Sequence, residues 1–309
     1  MELSVVIPAF NESEVIRQTL DRVISVCKSS GKIYEIIVVD DGSTDRTREI
    51  VVELKSVHKE IRIAGYEENM GHAIALVSGL KLSLGGLVVT IDADLQDPPE
   101  YILTMLQMFE ESSLSLRDLS VVQTVRSDRV SDSFFKRTSA SAYYFLIKKM
   151  TGVKIRPHSA DFRMMKRQVV DDIVALPEKN KILRLLIPAL GVKIDYLEIR
   201  RDERAAGKTK YSIKKMLSLA LDSMVSFNFR PLRLLSVLSL ILAIIMLLLS
   251  VFFFVMYILY GAVPGWTSIV LLVLSSNSFV VFTLGVLGEY LGRSYEILQG
   301  RPQRKIHEF

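Results

Sequence analysis

Leu87-Val88-Val89-Thr90-Ile91-Asp92-Ala93-Asp94-Leu95-Gln96-Asp97-Pro98-Pro99 decides the fold. Its first five residues are a short, mostly β-branched apolar run, the pattern of a strand buried on both faces of a parallel sheet. The run then delivers three carboxylates and an amide into a loop closed by two prolines. Carboxylates packed so closely repel one another unless a cation lies among them. Oxygen-only donors of this kind suit Mg²⁺ or Mn²⁺ carrying a diphosphate rather than zinc. A lone D-x-D triplet arises by chance in a chain of 309 residues. This one gains weight from its place at the C-terminal end of a strand, where open α/β sheets bind ligands.

Outward from that loop, strand and helix patterns alternate through the first 125 residues of the chain. Strands are expected at Leu3–Ala9, Tyr34–Asp40, Ile61–Gly65, Leu87–Ile91 and Leu119–Thr124, and helices at Glu12–Cys27, Asp45–Ser56, Gly71–Ser83 and Pro99–Glu111. This order predicts an α/β fold with a doubly wound, mostly parallel sheet. No G-x-G-x-x-G follows a strand, which argues against a dinucleotide site. Two further strand ends carry polar residues to the same edge as the acidic loop: Pro8-Ala9-Phe10-Asn11-Glu12 and Asp40-Asp41-Gly42-Ser43-Thr44-Asp45. Asp45 reads as a helix N-cap. The adjacent Asp40-Asp41 pair is harder to explain by capping, and a carboxylate there can accept the N3–H of a uracil.

The net charge of +5 hides an asymmetry: residues 1–120 carry a net −9, residues 121–233 a net +13 and the remainder +1. Mean hydropathy is +0.31, and the excess is localised in the 55 residues from Leu234 to Gly288, which contain no Asp, Glu, Lys, Arg or His. That composition predicts a membrane hairpin, with spans at about Leu234–Tyr260 and Trp266–Gly288 and a short turn at Gly261–Gly265. Basic residues flank its outer ends and none lie in the turn, so both termini are expected in the cytosol. The chain opens directly with a strand rather than a signal sequence, in keeping with a cytosolic catalytic part. Phe134–Met150 mixes aromatic and basic residues like an interfacial helix or an ordinary domain helix. Ile213, Met216, Leu217, Ala220, Leu221, Met224 and Phe227 form a cleaner apolar stripe, expected on the bilayer surface. The basic middle segment points to anionic headgroups or a phosphorylated ligand, and no motif supports nucleic acid. Cys27, the single cysteine, reads as packing, and the four His are scattered.

Val5-Val6-Ile7-Pro8-Ala9-Phe10-Asn11-Glu12, Val39-Asp40-Asp41-Gly42-Ser43, Asn69-Met70-Gly71, Asp92-Ala93-Asp94-Leu95-Gln96-Asp97-Pro98-Pro99, Asp161-Phe162-Arg163, Arg201-Asp202-Glu203-Arg204-Ala205-Ala206-Gly207-Lys208-Thr209-Lys210-Tyr211 and Leu287-Gly288-Glu289-Tyr290-Leu291-Gly292-Arg293 together resemble glycosyltransferase family 2. The resemblance is to its membrane-anchored polyprenyl-phosphate glycosyltransferases, the bacterial undecaprenyl-phosphate glucosyltransferases above all. Dolichol-phosphate mannose synthases and formamido-arabinose transferases are similar but fit less well. The resemblance implies a GT-A type catalytic domain over residues 1–211, a juxtamembrane interfacial helix over 212–233, two transmembrane helices within 234–288 and a cytosolic tail over 289–309.

The same resemblance implies site roles. Asp94 and the Gln96 amide oxygen would hold Mg²⁺ or Mn²⁺, with Asp92 on the ribose or metal side and Ala93, Pro8, Phe10, Glu12 and Asp41 at the nucleotide. Arg201, Arg204 and Lys210 would meet the diphosphate and the acceptor phosphate, against the alternative of a juxtamembrane basic patch. Asp161 matches a position proposed as catalytic, as a base or as an orienting group. The acceptor would be a polyprenyl phosphate, largely anionic above pH ~6, so a general base is not obligatory. Inverting transfer of a hexose, foremost glucose from UDP-glucose, is the implied reaction; GDP-mannose, UDP-GlcNAc and UDP-formamido-arabinose are the alternative donors. A homo-oligomer in the inner membrane is expected, with a flippase and a lipid-linked-sugar-using transferase downstream. A processive synthase does not fit, because its Q-x-x-R-W motif is missing and Trp266 sits at a span. Nor does a non-catalytic transporter, because spans without charge offer no ion path.

Overall fold

Four apolar runs form the expected parallel strands: β1 (Leu3–Ala9), β2 (Tyr34–Asp41), β3 (Ile61–Tyr66) and β4 (Leu87–Thr90). They are joined by α1 (Ile16–Ser29), α2 (Thr47–Val57) and α3 (His72–Leu82), and α4 (Tyr101–Leu114) follows β4. This computed structural model describes residues 1–115, 118–126, 156, 159–177, 181–200, 265–298 and 306–309, with isolated helical positions between 241 and 259. The chain divides into two compact units, Met1–Lys148 with Val153–Ser212 and Pro302–Phe309, and Lys149–Gly152 with Ile213–Arg301.

In the first unit the sheet continues through β5 (Val121–Arg126), β6 (Ser159–Lys166), β7 (Ile194–Ile199) and β8 (His307–Glu308). Strand order is β7-β5-β6-β4-β1-β2-β3-β8. Strand β6 runs antiparallel to both β4 and β5, and β8 runs antiparallel to β3. The expected mostly parallel sheet is therefore interrupted where β6 inserts between β4 and β5. Side chains alternate across the pleat, so Val5 and Ile7 join one core with α1, α2 and α4. Val6, Ile37 and Val39 join the other, beneath α3, α5 (Arg167–Ala175) and α6 (Leu183–Ala189).

The first helix begins at Ile16 rather than Glu12 because residues 11–13 spend their backbone N–H groups on the neighbouring loop, and Asn11 is left-handed at φ 55. In the second unit, helix α7 (Trp266–Leu298) is 33 residues long and takes in the second expected span. Among the described residues no helix is long and apolar enough to cross a membrane. The first expected span, the turn and both expected interfacial helices lie outside the described residues, apart from the isolated positions noted and Gly265.

Gly79 marks the closest approach of α3 to the sheet. A Cβ there would overlap Val6 Cγ1 and meet Val39 Cγ2 at 3.0 Å. Gly79→Ala gains about 1 kcal/mol of helix propensity but overpacks this contact by about 1–3 kcal/mol. The expected net result is a lower Tm in thermal unfolding, and a Tm at or above wild type would show that α3 is free to stand off the sheet.

Candidate active site

The loops after β1 and β2 are stitched to each other. Asn11 N–H donates to Ser43 Oγ at 3.0 Å, Asn11 Oδ1 accepts from Thr44 N–H at 2.8 Å, and Glu12 N–H donates to Thr47 Oγ1 at 2.8 Å. Asp45 accepts from Ser13 N–H at 3.1 Å and from Thr47 N–H, at the start of α2, at 2.9 Å. The N-cap of α2 is Arg46 rather than the expected Asp45, which instead accepts the first N–H of the helix from one residue earlier and ties the two loops together. Gly42, at φ +71, lies against the backbone of Glu68 and Asn69, where a side chain would not fit.

Asp40 and Asp41 are both buried. Asp40 receives Arg48 Nε at 2.7 Å and Ser43 N–H at 3.2 Å. Asp41 receives Met70 N–H at 2.8 Å on one oxygen and Gly71 N–H at 2.9 Å on the other. Burial raises its pKa, against the pull of those two donors. Asp41 therefore anchors the loop that presents α3, and a base would have to use its remaining lone pairs. Of the other residues expected at the nucleotide, Pro8 is buried in β1 in register with Val39, while Phe10 and Glu12 are half-buried at the loop.

The acidic loop is sorted by burial. Asp92, Asp94 and Gln96 are half-buried, whereas Ala93, Leu95 and Asp97 between and after them are buried. Asp97 is paired with Arg126 at 3.2 and 2.8 Å, so one of the three carboxylates is neutralised within the protein. Leu95 is left-handed at φ 57, Gln96 N–H donates to Asp94 Oδ1 at 3.1 Å, and Thr19 Oγ1 holds the Ala93 carbonyl at 2.6 Å. A buried leucine in that backbone region is strained, and the surrounding bonds maintain it. Among the described residues no three His, Cys, Asp or Glu side chains form a cage. Asp94 and Gln96 offer hard oxygen donors at a partly open edge. That fits a cation such as Mg²⁺ or Mn²⁺, which takes one or two carboxylates and completes its shell with phosphate and water.

Strand β6 brings Asp161 beside this loop. Thr90 pairs in register with Arg163, and Thr90 Oγ1 donates to the Asp161 carbonyl at 2.5 Å. Arg163 is 0% exposed and pairs with Asp161 Oδ1 at 2.5 Å, while its Nε and Nη1 have no hydrogen-bond partner among the described residues. Arg184, on α6, approaches Asp161 Oδ2 at 3.8 Å. His72 Nε2 stands 3.6 Å from Asp161 Oδ2 and 3.7 Å from Asp92 Oδ1. Burial works against ionising Asp161, but His72, Arg163 and Arg184 outweigh it and hold the carboxyl far below the usual range. Asp92 goes the other way. Burial, with Asp161, Asp94 and Asp97 nearby, pushes its pKa up to about 6 despite His72. Burial also lowers the His72 pKa, yet its two carboxylate neighbours raise it overall.

Sequence reasoning gave no role to His72, Arg163 or Arg184. His72 could have been flagged by its place directly after Asn69-Met70-Gly71, and Arg163 by sitting two residues from Asp161 on one strand face; Arg184 carries no local signal. Arg201, Arg204 and Lys210 lie outside the described residues.

The family described as Glycosyl transferase family 2 matches residues 4–174. The uncharacterized glycosyltransferase YkcC of Bacillus subtilis is 37% identical over 98% of this chain and 92% of its own length. A prophage bactoprenol glucosyl transferase homolog of Escherichia coli is 33% identical over 98% of this chain and 97% of its own. The undecaprenyl-phosphate 4-deoxy-4-formamido-L-arabinose transferase of Proteus mirabilis is 32% identical over 99% and 93%. Among solved structures, glucosyl-3-phosphoglycerate synthase of Mycobacterium tuberculosis, in complex with Mn²⁺, UDP and phosphoglyceric acid, shares the fold. Its TM-score is 0.53 at 20% identity, over 74% of this chain and 78% of that one.

The opposed environments of Asp161 and Asp92 make opposite predictions at pH 7. Asp161 is depressed, so its ionised form stabilises the fold above the ordinary carboxylate pKa, and that contribution is lost as pH falls. Asp161→Asn leaves Arg163 buried without a full counter-charge and should cost about 3 kcal/mol. Asp92 is raised, so its ionised form opposes folding as pH climbs toward and past about 6. Asp92→Asn should leave Tm unchanged or raise it. Equal losses in thermal unfolding of the two variants would overturn this contrast.

Proposed function

Because the chain belongs to glycosyltransferase family 2, we propose that it transfers a hexose, foremost glucose from UDP-glucose, to a polyprenyl phosphate at a membrane face. The carrying observation is that half-buried Asp92, Asp94 and Gln96 lie at one sheet edge with Asp161, whose charge is held by His72, Arg163 and Arg184. The full-length likeness to transferases named for bactoprenol and undecaprenyl phosphate supports the lipid acceptor. The Mn²⁺ and UDP of the mycobacterial enzyme support a divalent ion with a uridine donor.

Asp94 and Gln96 would hold Mg²⁺ or Mn²⁺, which supplies positive charge against the diphosphate as it departs. The Leu95 turn and the Thr19 hydrogen bond keep that pair in place before substrate arrives. A carboxylate held as far down as Asp161 is a poor proton acceptor, and a polyprenyl phosphate is already anionic above pH ~6. Asp161 therefore acts by neutralising the enclosed Arg163 and orienting the partly exposed Arg184 toward the acceptor, not as a general base. Arg201, Arg204 and Lys210 are assigned to the diphosphate and the acceptor phosphate. Inversion follows from direct attack by the phosphate oxygen on the face opposite the leaving group.

The uncharged composition of 234–288, rather than any helix of the described structure, supports assigning it to two membrane helices, at about 234–260 and 266–288, which would anchor a catalytic domain over 1–211. Strand β8, beyond the second span, pairs with β3 of the catalytic sheet. That segments before and after the uncharged stretch serve one sheet supports their lying on one side of the membrane, with the cytosolic face favoured by the flanking basic residues.

Two measurements test this reading. Membranes containing the protein, given a panel of labelled nucleotide sugars, should form a lipid-phosphate sugar that Asp94→Asn and EDTA abolish. Turnover of Asp94→Asn near wild type in Mg²⁺ or Mn²⁺ would remove Asp94 from the metal site. For topology, a cysteine at Ala262→Cys should react with an impermeant thiol reagent in intact cells and one at His307→Cys should not, and the reverse pattern would invert the assignment.

A further inference from the structure

His72 opens α3 immediately after Gly71, and the backbone leading into it is pinned because Asp41 accepts from both Met70 N–H and Gly71 N–H. The imidazole is thus delivered from a fixed point. Its Nε2 is almost equidistant from Asp92 Oδ1, at 3.7 Å, and Asp161 Oδ2, at 3.6 Å. These two carboxylates come from different parts of the sheet. Asp92 follows β4, in the parallel half whose loops carry the acidic donor set, and Asp161 rides on the antiparallel strand β6.

Two carboxylates facing each other at a half-buried edge repel, and the repulsion grows as water is excluded by a bound substrate. Asp161 has Arg163 and Arg184 as further partners. Among the described residues, the only basic side chain within ion-pair distance of Asp92 is His72. Removing the imidazole would leave Asp161 held and Asp92 free to swing away from it. We propose that His72 is a positioning residue for the transfer reaction, tying the Asp92 loop to Asp161 and so setting the spacing between the departing diphosphate and the attacking phosphate oxygen. This rests on the polyprenyl-phosphate transfer reading above. It adds to that reading a link between donor side and acceptor side, supplied by a side chain assigned to neither.

The side chain of His72 is 42% exposed, so its loss should be felt in alignment far more than in folding. His72→Phe keeps the ring and removes the N–H; His72→Gln keeps an N–H at similar reach. Both should be compared with wild type in detergent micelles, with kcat and KM measured for nucleotide sugar and for polyprenyl phosphate. Misplacement by about 1 Å lowers turnover by up to ~100-fold, so kcat of His72→Phe should fall by about 10- to 100-fold with both KM values and Tm little changed. His72→Gln should regain much of the rate. Wild-type kcat in His72→Phe overturns the proposal, and so does a rise in donor KM at unchanged kcat, which would make His72 a plain substrate contact.

The tie is also read without turnover. Unfolding free energies of His72→Phe, Asp92→Asn and the double variant should be non-additive, and additivity overturns the tie itself. Wild-type protein that transfers no sugar to polyprenyl phosphate, whatever that cycle shows, overturns the reaction reading and the positioning role with it.

Discussion

Arg163 is enclosed inside a β-strand, and a guanidinium in that place has to be neutralised. Asp161, two residues earlier on the same face of β6, supplies the charge. The consequences spread outward. Asp161 stays ionised in a setting that would otherwise protonate it, Arg184 and His72 gather around it, and Asp92 is left as the carboxylate that carries the strain. A cluster of acids at one edge persists because each member has been given a different electrostatic partner. Asp97 has Arg126, Asp40 has Arg48, Asp161 has Arg163 and Asp92 has His72, while Asp92, Asp94 and Gln96 are half-buried at the loop.

That arrangement keeps hard oxygen donors at a partly open edge, of a kind that suits a cation brought in with phosphate, and sets Arg184 beside Asp161. The proposed sugar transfer from a nucleoside diphosphate to a lipid phosphate would use both, because charge leaves on one phosphate and attacks from another. The rigidity of the edge comes from backbone stitching rather than from side-chain packing alone. The loops after β1 and β2 satisfy each other's N–H groups, and Asp41 spends both oxygens on the entry to α3. Carboxylates that look like ligand contacts in a linear sequence are in part the fasteners of the loops that carry the ligand contacts.

Strand β8 extends this economy to the edge of the sheet. It covers β3, Phe309 stacks its ring on Arg48 at 4.4 Å, and Arg48 in turn holds Asp40 and the Tyr66 carbonyl. An edge that would otherwise expose unpaired backbone groups is closed by residues that follow the long apolar stretch.

The amino-acid sequence by itself determined the parallel half of the sheet, since β1 to β4 are buried on both faces and only continuous apolar runs can fill them. It also determined the position of the acidic loop and the 55-residue uncharged stretch, because strand ends and long apolar runs are local properties. Strand β6 was not legible, because Ser159-Ala160-Asp161-Phe162-Arg163 carries two charges that only become strand-like once they pair with each other and with β4 and β5. The placement of His72 between Asp92 and Asp161, and the division of the carboxylates into structural and open ones, were decided by tertiary structure alone. A residue's hydrophobicity and period are written in its neighbours along the chain, whereas its electrostatic partner is chosen by which strands lie side by side.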